Sequence, residues 1–282
     1  MKYMYYALVV SLFLSIILSL SVADTLQAQS PENDENPDLN IVNTSRVSNG
    51  EYSMKFERGS ISIIQNNIID FSGGFSIEFW MKAEKLSPRM PVFSTRANNE
   101  DGAFQIQIGT GRGGVARISV TGKGVWIFDS KSHQIPVGSW IHVAYTREAV
   151  QQTFLQTMYI NGEEVEAEHE EHYTIKNNSN VILLGTSYTR ELFKGNLTDI
   201  RIWNEAISQE FIKDYMTSVI ESNLLLSSMT GYWLANDKAS GSIIQDLSSG
   251  NNDGFLFGVN WEKDVPGDVN VEGIAGLDVP GS

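Results

Sequence analysis

An Asn-Gly pair, Asn161-Gly162, is the feature that most restricts how this chain folds. It separates two short segments, Met-Tyr-Ile at 158–160 and Glu-Glu-Val at 163–165. Asn and Gly both accept the positive φ angles of a type I′ turn, whose twist matches that of paired antiparallel strands. The sequence therefore predicts a β-hairpin closed by this pair.

Short runs of alternating apolar and polar residues predict further strands on both sides of the hairpin. Gly, Asn, Asp and Ser separate these runs, which lie at 53–57, 75–82, 104–108, 115–120, 140–145 and 181–184. A period of two is typical of strands with one buried face, and their close, regular spacing predicts an antiparallel sandwich. One helix is expected after Ser208, a good N-cap, because apolar residues recur at helical spacing through 211–220.

Several motifs occur in the order of a known domain family. They are W-I-H-V-A at 140–144, Y-I-N-G at 159–162, F-K-G-N-L-T-D-I-R-I-W at 193–203, I-S-Q-E-F-I at 207–212, and Y-W-L at 232–234 followed by D-L-S-S-G-N-N-D-G at 246–254. This order resembles the laminin-G-like (LamG-like, pentraxin-type, concanavalin A-like) domain. The resemblance covers about residues 48–262. It implies an all-β fold, an antiparallel two-sheet jelly-roll β-sandwich with one short helix near the C-terminal side.

The first 28 residues are typical of an export signal. Lys2 precedes a long apolar run, small residues at 21–23 offer a cleavage position, and Leu26-Gln27-Ala28 is a second candidate. An uncleaved N-terminal anchor is the alternative, since about 18 apolar residues can span a bilayer. Either interpretation predicts a protein that is secreted or held in the cell envelope or at the cell surface.

The segments that flank the predicted sandwich have a different composition. Residues 29–47 are rich in Pro and acid and poor in apolar residues, which predicts a disordered linker. Residues 263–282 predict a C-terminal linker or tail, or the stub of a longer protein. Residues 268–273 faintly resemble a dockerin calcium loop, but Val279 stands at its last ligand position.

Charge and cysteine content narrow the classes of partner. The chain has 282 residues, a formal net charge of −14 and no cysteine. An acidic chain without basic clusters disfavours nucleic acid and anionic membranes as partners. An exported domain without disulfides must rely on its core, which favours a bacterial protein over an animal ectodomain.

The sequence gives little support for an enzyme. Glycoside hydrolysis needs two carboxylates that flank the scissile bond, and strings such as E-x-D-x-x-E do not occur in this chain. Glu78 is the only acid in its strand run. His169 and His172 are three residues apart, not the four that a helical zinc motif requires, so an acidic solvent-facing strand is expected there.

Tryptophans and loop residues are the candidate ligand contacts. Of six tryptophans, Trp80, Trp140, Trp203 and Trp233 are expected to pack in the core, whereas Trp126, next to glycines, is open to a surface role. Sandwich loops commonly carry binding residues. The candidate ligand-binding residues on the predicted loops are Arg96, Asn98, Asp101, Arg112, Tyr188 and Arg190.

Calcium is the ion that suits the oxygen-rich segment 246–253. Asp246, Asn252 and Asp253 are its candidate ligands, although turn chemistry alone also explains them. These observations together predict a non-enzymatic module that binds an extracellular glycan or surface protein through rim loops. A structural or adhesive spacer without a small ligand is the alternative, and a degenerate carbohydrate-active enzyme domain is the third interpretation. The oligomeric state is left open.

Overall fold

The computed structural model describes residues 51–110, 116–131, 135–177, 179–220, 227–236 and 241–267. The predicted export signal, the acidic linker, Arg112 and most of the predicted C-terminal tail lie outside these residues. Among the residues described, no helix is both long and apolar enough to cross a membrane.

Within the described residues the chain forms fifteen strands and one short helix. The strands are β1 (Ser53–Ile64), β2 (Phe75–Ala83), β3 (Met90–Ser94), β4 (Gln105–Thr110), β5 (Ala116–Thr121), β6 (Trp126–Ser130), β7 (Trp140–Val150), β8 (Thr153–Ile160), β9 (Glu163–Glu164), β10 (Ala167–Glu170), β11 (Val181–Leu184), β12 (Gly195–Trp203), β13 (Met229–Trp233), β14 (Ile243–Ile244) and β15 (Gly254–Glu262). The helix is α1 (Gln209–Tyr215).

Hydrogen bonds connect the strands in the order β10-β6-β5-β4-β3-β11-β1-β12-β2-β7-β8-β9, with β13 beside β12, and β15 between β1 and β14. The pairings between these strands are antiparallel, and the two ends of the order do not join into a barrel. Ser53 at the start of β1 lies opposite Glu262 at the end of β15. The predicted all-β jelly-roll with one short helix is confirmed.

The core lies where the two halves of this strand order face each other. Phe75 on β2 and Phe104, just before β4, have ring centroids 5.4 Å apart. Phe71 contacts both rings edge-on. Alternation accounts for the inward face of β4, because Ile106 and Ile108 point into the core while Gln107 between them points to the other side.

The hairpin at Asn161-Gly162 is also confirmed. Their φ angles are +51° and +77°, as a type I′ turn requires. Ile160 pairs with Glu163 across the turn. A Cβ on Gly162 would lie 2.8 Å from the Lys213 side chain on α1, so this position tolerates a side chain poorly for a second reason.

A second apolar cluster lies between the sheet and α1. Its members include Trp80, Trp203, Ile212, Met216 and Tyr232. As expected, Trp80, Trp203 and Trp233 are fully buried. Trp140 is only partly buried, and its indole donates a hydrogen bond of 3.0 Å to Asp264.

The helix begins as predicted but ends earlier than the apolar pattern suggests. The Ser208 hydroxyl accepts the Phe211 N–H at the start of α1. After the helix, Arg201 donates to the carbonyls of Tyr215 and Ser218, and Trp80 donates to the carbonyl of Met216. Because sheet side chains satisfy these carbonyls, the backbone does not need further helical turns.

Arg201 is also the centre of a buried ionic cluster. Its guanidinium binds Asp199 in a bidentate manner, with both distances 2.7 Å, and donates to Glu78 at 3.3 Å. Trp203 donates to the same Glu78 oxygen at 3.1 Å. Burial alone raises the pKa of Glu78, but the charge of Arg201 and the nearby His142 bring that pKa below its ordinary value. The D-I-R-I-W segment of the family motif therefore holds α1 on the sheet.

Candidate functional site

A cleft of about 710 Å³ lies on the outer face of β4, β5, β6 and β10. The side chains that give it its chemistry are Gln107, Arg117, Ser119, Trp126, Asp129 and Glu168. Their strands bury Ile106, Ile118 and Val120 against the core, so alternation points the polar residues between them to the opposite side. This part of the sheet thus has one apolar, buried face and one polar face.

A β-bulge places Trp126 on the polar face. Asp129 lies opposite Ser119 and Phe128 opposite Val120, but Trp126 lies opposite Thr121, which leaves Ile127 as an extra residue. Without the bulge, Trp126 and Asp129 would point to opposite faces, because they are three residues apart. The bulge therefore brings a large aromatic ring, 44% exposed, onto the face that carries the polar side chains.

Arg117 organises the polar part of the cleft. Its Nη1 lies 3.0 Å from Asp129 Oδ2 and also contacts Glu168. The other Asp129 oxygen accepts the Ser119 hydroxyl at 2.6 Å. The hydrogen bond to Glu168 raises the pKa of Arg117, so the guanidinium stays charged at any relevant pH. The cleft floor is thus a network of fixed donors and acceptors beside Trp126.

A turn at residues 87–89 forms one wall of the cleft. Pro88 and Arg89 line it, and Arg89 has a φ angle of +57°. Gly109 on β4 allows this turn to approach, since a Cβ there would lie 2.6 Å from the Arg89 nitrogen and 2.7 Å from the Ser87 oxygen. Gly109 therefore determines the width of the cleft at this wall.

This arrangement is suited to a neutral, hydroxyl-rich ligand. The Trp126 ring offers an apolar face, and the side chains around it offer several hydrogen-bond donors and acceptors at fixed positions. Pockets that combine an aromatic surface with a few oriented polar groups are typical ligand sites. Two arginines, Arg89 and Arg117, and two carboxylates line the cleft, so the local charges compensate one another.

The structure brings together two of the loop residues predicted to bind ligand. The Arg96 guanidinium carbon lies 4.7 Å from the centroid of the Tyr188 ring, and Arg96 Nη2 lies 3.2 Å from the Tyr188 hydroxyl. Arg96 is only 7% exposed. Each of the two side chains therefore has an intramolecular partner.

The other predicted loop residues lie apart from this pair or outside the described residues. Asn98 donates to Glu100, and Asp101 forms an exposed ion pair of 3.0 Å with Lys123. Arg190 adopts a φ angle of +61° in its turn. None of the described predicted residues lines the cleft at Trp126. Ligand binding by these loops stays a prediction.

The candidate calcium ligands hold the backbone around them. Asp246 accepts the N–H groups of Tyr232, Ser248 and Asn252, each at 2.9 Å. Asp253 accepts the N–H of Asp246 at 2.9 Å. Each of these carboxylates has a structural role without any ion, as the turn interpretation predicts.

Asn252 completes this loop structure by accepting the N–H groups of Asn66 and Asn67, which joins the loop to the end of β1. Among the residues described, no three or more His, Asp or Glu side chains gather in a way that could hold a metal ion. Calcium can also bind amide and backbone oxygens, so the predicted calcium site stays a prediction.

Sequence reasoning found Trp126 but missed its polar neighbours. The alternating runs that contain Gln107, Arg117 and Ser119 predicted a solvent-facing side without indicating that it is concave. Asp129 lies within β6, a strand that is not among the predicted alternating runs. One sequence signal was available: polar residues alternate along β4 and β5, and the next strand, β6, begins with Trp126.

An antiparallel jelly-roll sandwich with a polar cleft on one sheet defines the class of this protein as a concanavalin A-like domain. The family model described as the concanavalin A-like lectin/glucanases superfamily, of the laminin G type, matches residues 57–213. This match covers more than half of the chain, and the protein belongs to this family.

Solved structures show the same fold. A candidate carbohydrate binding protein from Bacteroides ovatus ATCC 8483 aligns with a TM-score of 0.61 and 18% identity, over 77% of this chain and 60% of that one. This chain therefore spans 60% of the length of that protein. A heptameric SAP-like pentraxin from Limulus polyphemus aligns with a TM-score of 0.50 and 14% identity, over 78% of this chain and 97% of that one. At these identities the likeness establishes the fold alone. A search of the curated proteins finds no match.

Proposed function

We propose that this protein is a non-catalytic glycan-binding module that holds a saccharide in the cleft at Trp126. The observation that carries the proposal is the bulge in β6, which exposes a tryptophan beside the network of Arg117, Ser119 and Asp129. Sugars present apolar ring faces and hydroxyl edges, and this cleft offers a complement to both. The description of the Bacteroides ovatus protein as a candidate carbohydrate binding protein supports the same class of ligand.

The polar network supports binding better than hydrolysis. A glycosidase needs one carboxyl group free to deliver a proton and a second that acts as base or nucleophile. In the cleft both carboxylates, Asp129 and Glu168, are paired with Arg117. Protonation of either one breaks an ion pair, so this geometry favours a fixed recognition surface.

The affinity for one saccharide unit is expected to be weak. Each hydrogen bond to a sugar hydroxyl replaces a bond to water, so its net gain is only about 0.5–1.5 kcal/mol. Association also costs several kcal/mol in lost translational and rotational freedom. We therefore expect detectable binding mainly to oligosaccharides and polymers, which cover Trp126 and the polar network together.

A glycan array followed by calorimetry on the full chain tests this proposal. Trp126→Ala is expected to weaken binding by about 1–2 kcal/mol, or roughly five- to thirtyfold, through the loss of aromatic contact. Phe257→Ala is the matched control, because Phe257 is 60% exposed on β15 and does not line the cleft. Thermal melts of both variants should match that of the wild type.

Three outcomes separate the hypotheses. Binding that is lost in Trp126→Ala but retained in Phe257→Ala supports the cleft. Binding that is lost only in Tyr188→Ala assigns the ligand to the predicted rim loops and contradicts the cleft. A wild-type protein that retains no glycan on the array favours the structural or adhesive spacer. A reducing-sugar assay with the retained glycan tests the degenerate enzyme directly.

The proposal includes export. The predicted signal at residues 1–28 and the linker at 29–47 support a location outside the cytoplasm, where glycans and surface proteins are accessible. Fractionation of producing cells, with sequencing of the mature N-terminus, tests this part separately. Recovery of the uncleaved chain in the membrane fraction supports an anchor, and recovery in the cytoplasm contradicts export.

A further inference from the structure

Arg147 is a charged residue on a face of β7 that is otherwise apolar. It continues the row formed by Ile141, Val143 and Tyr145, all of which belong to the core. The side chain is only 2% exposed. It therefore lies inside the end of the sandwich, beside Gln156 of β8 and in contact with the segment that follows β10.

The guanidinium of Arg147 lacks the partners that a buried cation usually has. Its carbon lies 3.4 Å from the centroid of the Phe154 ring, and its Nη2 donates to the Tyr173 carbonyl at 2.9 Å. Nε and Nη1 are buried without a hydrogen-bond partner. No ion pair with Arg147 is found among the described residues. Burial lowers the pKa of Arg147, because removal from water disfavours the charged form.

Two other arginines show how unusual this arrangement is. Arg201 is equally buried, but it is paired with Asp199 and Glu78. Arg117 is paired with two carboxylates in the cleft at Trp126. A buried charge without a counter-charge is costly. Within the part of the chain that the structure describes, Arg147 therefore lacks a compensating negative group of the kind that the other two arginines have.

A separate cleft of about 230 Å³ opens beside Arg147 at this end of the sandwich. Thr153, Gln156 and His172 line it and offer polar groups. Glu170 also lies on the wall, where its carboxylate accepts a hydrogen bond of 3.1 Å from Gln156. Gln156 in turn accepts the Tyr145 hydroxyl at 2.6 Å. These hydrogen bonds hold the Glu170 carboxylate on Gln156, so it does not form an ion pair with Arg147.

We propose that the cleft at Arg147 is a second binding site and that it takes a small carboxylate, with the carboxylate oxygens on the free N–H groups of Arg147. Phe154 is partly exposed and lies across the guanidinium, so a shift of this ring admits the ligand. The volume suits a group of about monosaccharide size, such as a sugar acid. This site shares no lining residue with the cleft at Trp126.

Calorimetry and NMR titration of the full chain with D-glucuronate, D-glucose and acetate test the proposal. D-Glucuronate and acetate are expected to bind, D-glucose is expected not to bind at this site, and added salt is expected to weaken the binding of both anions. Arg147→Gln should weaken glucuronate binding about tenfold or more, because a charge-assisted hydrogen bond is lost. Trp126→Ala should leave this binding unchanged, which separates the result from the proposed function.

Glu170→Gln provides a variant that does not depend on the folding of an Arg147 variant. Glu170 is exposed and its negative charge opposes an anion in the cleft, so its neutralisation is expected to tighten glucuronate binding about two- to fivefold. Equal binding of glucose and glucuronate would overturn the proposal. So would glucuronate affinity that neither Arg147→Gln nor Glu170→Gln changes. Absence of any anion binding up to millimolar concentrations would also contradict it.

Discussion

Arg201 and Arg117 have the same immediate chemistry and different positions in the fold. Each is an arginine that pairs with two carboxylates, Asp199 and Glu78 in one case and Asp129 and Glu168 in the other. The side chain of Arg201 is 1% exposed beneath α1, whereas that of Arg117 is 17% exposed at the floor of a cleft. Burial separates the two clusters: the first is closed to any ligand and stabilises the fold, whereas the second is open to the cleft.

The largest expected effect is on the buried cluster. Arg201→Ala leaves Glu78 and Asp199 buried without a counter-charge and frees the carbonyls of Tyr215 and Ser218. We expect a loss of about 3–5 kcal/mol in the free energy of unfolding, which is typical when one partner of a buried pair is removed. Urea denaturation measures it, with the exposed Arg58→Ala as control. A loss below about 1 kcal/mol would remove the distinction between the two clusters.

A second effect concerns a carboxylate that is satisfied by the backbone instead of an arginine. Asp246→Ala leaves three N–H groups, those of Tyr232, Ser248 and Asn252, without their acceptor. We expect a loss of about 3 kcal/mol in chelator, since each buried unpaired group costs about 1–3 kcal/mol and some reach water. Thermal melts with and without calcium check this together with the predicted ion.

Calcium that binds the native state alone should raise the stability of the wild type by about 2.7 kcal/mol at a hundredfold excess over Kd. Asp246→Ala should remove most of that increase. If the wild-type melts are the same in calcium and in chelator, the calcium prediction is wrong and the hydrogen-bond role of Asp246 stands alone.

The smallest expected effect on stability is in the cleft. Arg117→Ala removes an ion pair that is partly open to water, and we expect a change of about 1 kcal/mol or less in the free energy of unfolding. Its effect on glycan binding should exceed its effect on stability, because Asp129 and Glu168 lose the group that orients them. Denaturation and calorimetry on the same preparation compare the two quantities. A variant that unfolds readily but binds normally when folded would reverse the comparison.

The hairpin and the strand motif near the buried Arg201 cluster could be predicted from the sequence better than the cleft at Trp126. Asn161-Gly162 predicted its hairpin, because the turn is a local property of two residues. The D-I-R-I-W segment was recognised through its family motif, although the ion pairs of Arg201 join residues far apart in the sequence. The end of α1 was not predictable from the sequence. It depends on hydrogen bonds that Arg201 and Trp80, both on the sheet, donate to the last carbonyls of the helix.

The cleft could not be predicted for a related reason. Trp126, Ile127 and Phe128 form a continuous apolar run, and nothing in that run indicates which residue is the extra one in the bulge. The pairing with β5 determines it, and that pairing is a tertiary property. The same bulge decides that Asp129 and Trp126 share a face. A site that depends on strand register can be predicted only when the pairing with the neighbouring strand is known.

The pairing of Ser53 with Glu262 has a mechanical consequence. The first residue of β1 and the last of β15 lie side by side, so tension applied through the segments before and after the sandwich acts on neighbouring points, at this pair and at the contact of Asp264 with Trp140. The hydrogen bonds of the two strands are then loaded one after another instead of all at once. We expect a domain tethered at both ends in this way to unzip along β1 and β15 at low force.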